Sequence, residues 1–351
     1  MESYFHQCKN KINYLLNFKC KMDDTRRKKI KWYIISFVSA LFIISILRAF
    51  FIQSYTVSSP QMETALNIGD RLLVDKTAYG VRLPVTILSI PFTFDSFLGL
   101  RSYSRLIELP YKRINTRKIQ RNDIVLFNNP VEKLKPIDKR GLLLSRCVGL
   151  PGDTINRNAN GLIINSIKII PSPDKSAPYT YNPINEDEVL AVIKEFNIPI
   201  RNYEDKSARF YKSILLNQYE YWIISQKLES DYLLPLSESE DKYSYNLLIP
   251  SKDMEIYFTD ENSFIYKDII ADEMPHFEFL NGKIVDNGTI VRNYKFKYDY
   301  YWFISDNPYE AIDSHQIGFV SEKYIIGKAF YISVGIADNK INWQRSFSTI
   351  R

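Results

Sequence analysis

The side chains most often used for metal binding and proton transfer are few in this chain. Its three histidines are His6, His276 and His315, and its three cysteines are Cys8, Cys20 and Cys147. They form no cluster with metal-ligand spacing, so no metal site is expected, and no segment calls for a cofactor. Asp70 and Asp153 each follow a glycine and read as turn residues that bond their own backbone. Hydroxyls stand in a polar bend, Ser58-Ser59-Pro60-Gln61. Ser145 precedes Arg146, whose guanidinium stays protonated and cannot take a proton from a nucleophile. Residue types alone therefore leave the chemistry open, and the elements that position them must decide it.

The first such element is an apolar span. Trp32–Leu47 carries no charge, and after Arg48 the run resumes as Ala49-Phe50-Phe51-Ile52. About 20 apolar residues suffice for a helix to cross a bilayer. Residues 32–52 are thus predicted to be a transmembrane helix, with Arg48 reaching the interface on its long stem. A cleavable signal peptide fits less well, because the basic region before it is too long and no A-x-A-like site follows. That basic head, residues 1–31, holds Lys9, Lys11, Lys19, Lys21, Arg26, Arg27, Lys28, Lys29 and Lys31 against Glu2, Asp23 and Asp24. Positive charge beside a span marks the cytoplasmic side. The expectation is a single-pass protein of the cell membrane, with residues from about 53 onward outside the cytoplasm. The bilayer, and not nucleic acid, is the partner of the basic head. Cys147 is then the lone exported cysteine, which excludes a disulfide within that part.

The rest of the 351 residues reads as mainly β. Hydrophobic content is 45% and charged content 25%, with 25 Tyr and 21 Phe, which suits a packed, strand-rich body. Strands are predicted at Tyr55–Val57, Arg71–Lys76, Asp123–Phe127, Leu142–Val148, Leu247–Ile249, Met254–Phe258, Tyr300–Ile304 and Tyr324–Val334. Phe277–Leu280 and Lys283–Val285 flank Asn281-Gly282 as a hairpin. Residues 81–118 look irregular and are expected to lie on the membrane surface. Residues 156–245 read as an α/β insertion between 53–155 and 246–351. Within it a helix starts after Asn185, with Val189, Val192, Ile193 and Phe196 on one face, and Pro199 stops it. Residues 204–245 are open between helix and strand.

Five segments together resemble the bacterial type I signal peptidase family. Ser58-Ser59-Pro60-Gln61-Met62-Glu63-Thr64-Ala65-Leu66 through Gly69-Asp70, with Asp75-Lys76 and Tyr79-Gly80 after it, is similar to P-S-x-S-M-x-P-T-L-x-x-G-D. Arg121-Asn122-Asp123-Ile124-Val125-Leu126-Phe127 is similar to R-G-D-I-V-V-F. Ser145–Asp153 is similar to K-R-x-V-G-L-P-G-D. Ser305-Asp306-Asn307 through Asp313-Ser314, followed by Gly318-Phe319-Val320, is similar to G-D-N-R-D-N-S-x-D-S-R with G-x-V. Ile326-Gly327-Lys328-Ala329 is similar to V-G-R-A. Their order and spacing after a membrane span make chance agreement remote. The resemblance implies a two-lobed β domain anchored by one N-terminal helix.

It also implies a Ser–Lys dyad, in which a hydroxyl attacks the scissile carbonyl and a buried neutral Lys takes its proton. Carried onto this chain, the nucleophile position falls on Gln61 and the base position on Ser145. A carboxamide cannot become an alkoxide, and a hydroxyl is not basic enough at neutral pH. The oxyanion hydroxyl falls on Ser59, which is kept. Val57, Met62, Leu144, Asp313 and Ser314 are carried over as substrate-cleft positions, although Asp313 and Ser314 read as structural here. In the fourth segment Ser305, Pro308 and Tyr309 replace Gly, Arg and Asp. Lys139 lies six residues before Ser145, about 20 Å along a strand, too far to restore the base. The expected protein is a family member without catalysis that binds signal peptides or an active signal peptidase. The alternative is a working serine endopeptidase with a non-standard site.

Overall fold

A computed structural model describes residues 24–63, 65–89, 96–97, 99–158, 161–169, 175–201, 210–228, 232–236, 244–307, 311–337 and 340–350. The basic head before residue 24, with His6, Cys8 and Cys20, lies outside the described residues, as do Pro308 and Tyr309.

Two units separate at residue 50: Met1–Ala49 and Phe50–Arg351. The described part of the first lies in helix α1, Asp24–Phe50. Its stretch Lys28–Phe50 is long and apolar enough to cross a membrane, and none of it is buried in protein. Trp32, Phe37 and Phe42 are all exposed, so the helix presents an apolar surface all round. The helix ends earlier than expected. Ile52 already belongs to a strand, because Ile52 pairs with Asp75.

The second unit is built on a nine-stranded sheet. Its strands are β1 (Ile52–Thr56), β2 (Arg71–Asp75), β3 (Ile124–Asn128), β4 (Leu142–Gly149), β5 (Tyr300–Ile304), β6 (Val320–Ser321), β7 (Ile325–Ala337), β8 (Lys340–Asn342) and β9 (Ser348–Thr349). The spatial order is β1-β2-β7-β3-β4-β5-β6, with β8 and β9 also on β7. Every pairing is antiparallel. Strand alternation sends neighbouring residues to opposite faces. Ile124, Leu126 and Leu144 join Val57, Met62, Leu66, Leu72 and Val74 in one core. Val125, Phe127, Leu143 and Cys147 join Tyr79, Phe303 and Tyr324 in another. Cys147 is free and buried.

A second lobe packs its own core. Thr154–Asn158 pairs with Gly161–Ile164 on one side and Tyr245–Leu248 on the other. Ile155, Ile249, Tyr266, Ile270, Phe296 and Trp302 fill the interior. Asn281 and Gly282 both have positive φ in the predicted hairpin, the geometry a two-residue turn of this type requires. Between these strands lies an α/β part with a separate core of Tyr179, Val189, Ile193, Ile214, Leu216 and Ile224. It contains Ala177–Tyr181 paired with Lys212–Leu216, and helices α2 (Glu186–Glu195) and α3 (Gln218–Lys227). Helix α2 buries Val189, Val192 and Ile193 as expected, but Phe196 is its C-cap and is 39% exposed. Helix α4, Asp260–Ala271, fills the stretch between the strands expected at Met254–Phe258 and Phe277–Leu280, where no element was assigned, and is capped reciprocally by Thr259 and Asn262.

Candidate functional site

A short 3₁₀ turn, Pro60–Met62, positions Gln61. Proline at its start presets the backbone, and Ser59 caps it without a side-chain hydrogen bond. Gln61 is 5% exposed. Its Oε1 accepts the Leu144 backbone N–H at 3.4 Å, and its carbonyl accepts the Asn307 N–H at 3.0 Å. Val57, Met62 and Leu144 are buried members of the same apolar core, while Ser59 is half-buried.

Ser145 is fully buried on β4, one residue beyond Leu144. Its Oγ lies 3.1 Å from Ser305 Oγ. Ser305 N–H in turn donates to Asp313 Oδ2 at 3.0 Å. Asp313 caps helix α5, Ser314–Ile317, and accepts from the His315 N–H at 2.9 Å. Ser314 Oγ accepts the Phe303 N–H at 2.9 Å. Asp313 and Ser314 thus hold the loop that places Ser305 against Ser145. No hydrogen bond joins Gln61 to Ser145 among the described residues; the two meet through the β4 backbone. Arg146 donates twice to Asp306, at 2.9 and 2.7 Å, as a mostly buried bidentate pair. Lys139 Nζ sits 5.7 Å from the centre of the Tyr103 ring.

The other segments that carry the resemblance converge on the same sheet. Tyr79 OH donates to Asp123 Oδ2 at 2.9 Å, and Lys328 Nζ contacts Asp123 Oδ1 at 2.5 Å. Burial, reinforced by Asp123, pushes the Tyr79 phenol and the Cys147 thiol above their ordinary ranges. A Cβ on Gly327 would stand 2.2 Å from the Asp75 carbonyl oxygen, so only glycine lets β7 approach β2 this closely. Asp70 and Asp153 do bond their own turns, at Asn67 N–H and Leu150 N–H. They also pair with distant cations, Asp70 with Arg345 at 2.9 Å and Asp153 with Arg121 at 2.9 Å.

Two residues of this frame escaped the sequence reading. His315 Nδ1 lies 2.8 Å from Asp313 Oδ1, and its Nε2 lies 3.2 Å from Tyr245 OH. Burial raises that phenol to about 12. The motif places Arg at position 315, and the Asp313–His315 spacing was the available clue. Ala311, buried, stands where the motif has Ser. Behind α5 a cavity of about 580 Å³ is lined by His315, Trp302, Phe319 and Asp268 among others. Among the described residues no group of three or more His, Cys, Asp or Glu could hold a metal ion.

The 3₁₀ turn, the β4 segment and the capped helix α5 all sit on the antiparallel half-barrel sheet. A model of the signal peptidases, peptidase S26, matches residues 30–228. The chain belongs to this family. It is 26% identical over 321 residues to signal peptidase I of Buchnera aphidicola subsp. Baizongia pistaciae, covering 91% of this chain and 81% of that protein. It is 24% identical over 352 residues to signal peptidase I of Buchnera aphidicola subsp. Acyrthosiphon pisum, covering 97% and 89%. A 120-residue stretch is 33% identical to signal peptidase I of Pseudomonas aeruginosa, covering 34% and 32%. Family membership and helix α1 together mark a membrane-anchored protein of signal-peptide processing.

Proposed function

We propose that this chain is a signal peptidase I family member whose own site does not catalyse, and which binds signal peptides or an active signal peptidase. The observation that carries this reading is the pairing of Ser145 Oγ with Ser305 Oγ at 3.1 Å, with Gln61 Oε1 engaged by Leu144. Two hydroxyls and a carboxamide supply hydrogen bonds but no group that takes up a proton near neutral pH. Arg146 is engaged by Asp306 and is a permanent cation. Ser59 is the hydroxyl kept near the turn, and Val57, Met62, Leu144, Asp313 and Ser314 frame the place where a peptide would lie. On this reading the basic head is cytoplasmic and the β unit lies outside the cytoplasm, as the charge beside the span supports.

Family membership and the names of its relatives favour a second reading, a working endopeptidase with a non-standard nucleophile and base. One experiment separates the two. The full chain in detergent is incubated with a preprotein whose signal peptide carries a photo-crosslinker. The proposal expects crosslinking with the preprotein left intact; release of mature protein by the chain alone overturns it.

A further inference from the structure

Neither Gln61 nor Ser145 lines the cavity of about 580 Å³ behind α5. Its volume falls in the range of small-molecule sites. Helix α4 and its C-cap turn one stripe toward it, Ile265, Asp268, Ile269 and Asp272, the spacing of a single helical face. Tyr300, Trp302 and Phe319 are buried and give it a wall of rings. Trp302 and Phe319 meet edge to face, with ring centres 5.4 Å apart.

Several polar side chains on this wall already have partners. Asp272 pairs with Lys323 at 2.7 Å and accepts from the Tyr324 hydroxyl. His315 is held by Asp313 and Tyr245, and Gln316 Oε1 accepts the Asp313 N–H at 2.9 Å. Other wall groups are unengaged. Ser321 is 1% exposed, and its Oγ has no hydrogen-bond partner among the described residues. Native proteins leave few buried hydroxyls in that state, because each forfeits the bonds it makes in water. Asp268 and Lys133 also line the cavity, and both are exposed. Neither side chain makes an ion pair or hydrogen bond among the described residues. One ring-walled space thus offers a carboxylate, an ammonium and a buried hydroxyl.

An apolar ligand would leave all three of these groups unused. A ligand of single charge would set a like charge beside Asp268 or Lys133. A ligand that carries both charges complements both. We propose that this cavity binds a small zwitterion with an aromatic side chain, of the class of a free aromatic amino acid. Its ammonium pairs with Asp268 and its carboxylate with Lys133. Its ring lies against Trp302 and Phe319, and a ring hydroxyl bonds Ser321. Helix α5 is one wall, and its cap Asp313 accepts the Ser305 N–H at 3.0 Å. An occupant therefore packs against the helix whose cap holds Ser305 beside Ser145. The site stands whether or not the chain binds signal peptides.

The test is isothermal titration of L-tyrosine into the full chain in detergent micelles, with empty micelles as the blank. Saturable binding is expected. N-acetyl-L-tyrosine lacks the ammonium and L-tyrosinamide lacks the carboxylate. Each should bind the unmodified chain about 3-fold more weakly or worse, the scale of an exposed ion pair. Asp268→Asn should abolish the N-acetyl penalty, and Lys133→Met the amide penalty. Both positions are exposed, so thermal midpoints should stay unchanged. L-phenylalanine, without the hydroxyl, should bind the unmodified chain more weakly than tyrosine and the Ser321→Ala variant equally well. Absence of saturable heat overturns the site. So do analogue penalties that persist in the Asp268→Asn and Lys133→Met variants, because the ligand then lies elsewhere. Should Ser321→Ala misfold, those two exposed variants decide.

Discussion

Gln61 Oε1 accepts a hydrogen bond from Leu144 N–H, one residue before Ser145. Strand alternation explains why the contact is to backbone. Leu144 faces the Val57–Met62 core, whereas Ser145 shares the parity of Leu143 and Cys147 and bonds Ser305. The side chain at 61 thus ties the 3₁₀ turn to β4 as a structural bond. Its consequences can be measured at the residues around it.

The Arg146–Asp306 pair is a bidentate ion pair close to Ser145 and Ser305. Both side chains are nearly buried, and both guanidinium bonds are short. Removing one partner of such a pair leaves an uncompensated charge and costs about 3–5 kcal/mol. Arg146→Met is expected to lose that much in urea unfolding followed by tryptophan fluorescence. The double variant Arg146→Met/Asp306→Leu should recover most of it.

Gly327 reports on strand packing. A methyl group there would meet the Asp75 carbonyl at 2.2 Å and its carbon at 2.8 Å. Strand β7 must then move away from β2, an overpacking cost of about 1–3 kcal/mol. Gly327→Ala should lower the unfolding free energy by that amount without changing the far-ultraviolet circular dichroism of the folded chain.

Glu322 gives the pH dependence a sign. Burial, with Asp299 nearby, raises its carboxyl above the ordinary 4.5, while Arg113 pulls the other way. The stability it contributes is fully present below 4.5 and is lost as pH rises through the raised folded value. Glu322→Gln should match the unmodified chain near about pH 4 and exceed it near about pH 8. Thermal midpoints across that range check the slope.

Much of the frame was legible in the sequence, because strand alternation, the apolar span and the Asn281-Gly282 turn are local signals. Local signals also existed where the reading stayed open or failed. Asn217 and Glu220 form a capping box that starts α3 within the ambiguous 204–245 stretch. Thr259 and Asn262 do the same for α4, hidden among Tyr, Phe and Ile residues that favour strands. Phe196 fits an apolar helical period, but the chain leaves the helix at that residue and turns it outward. What could not be read were relations across long sequence separations. The Asp70–Arg345 pair, the Ser145–Ser305 contact and the unpaired Asn307 amide depend on which strands become neighbours.

On the proposed function, Gln61 and Ser145 stand where a nucleophile and a base would act. Loss of either member of such a pair has cost a serine protease on the order of 10⁶ in turnover. The direct measurement is preprotein cleavage by the purified full chain and by the Gln61→Ser/Ser145→Lys variant, side by side in detergent. Intact preprotein is expected with the unmodified chain, and release of mature protein with the double variant. Cleavage by the unmodified chain, abolished by Ser59→Ala, would contradict it.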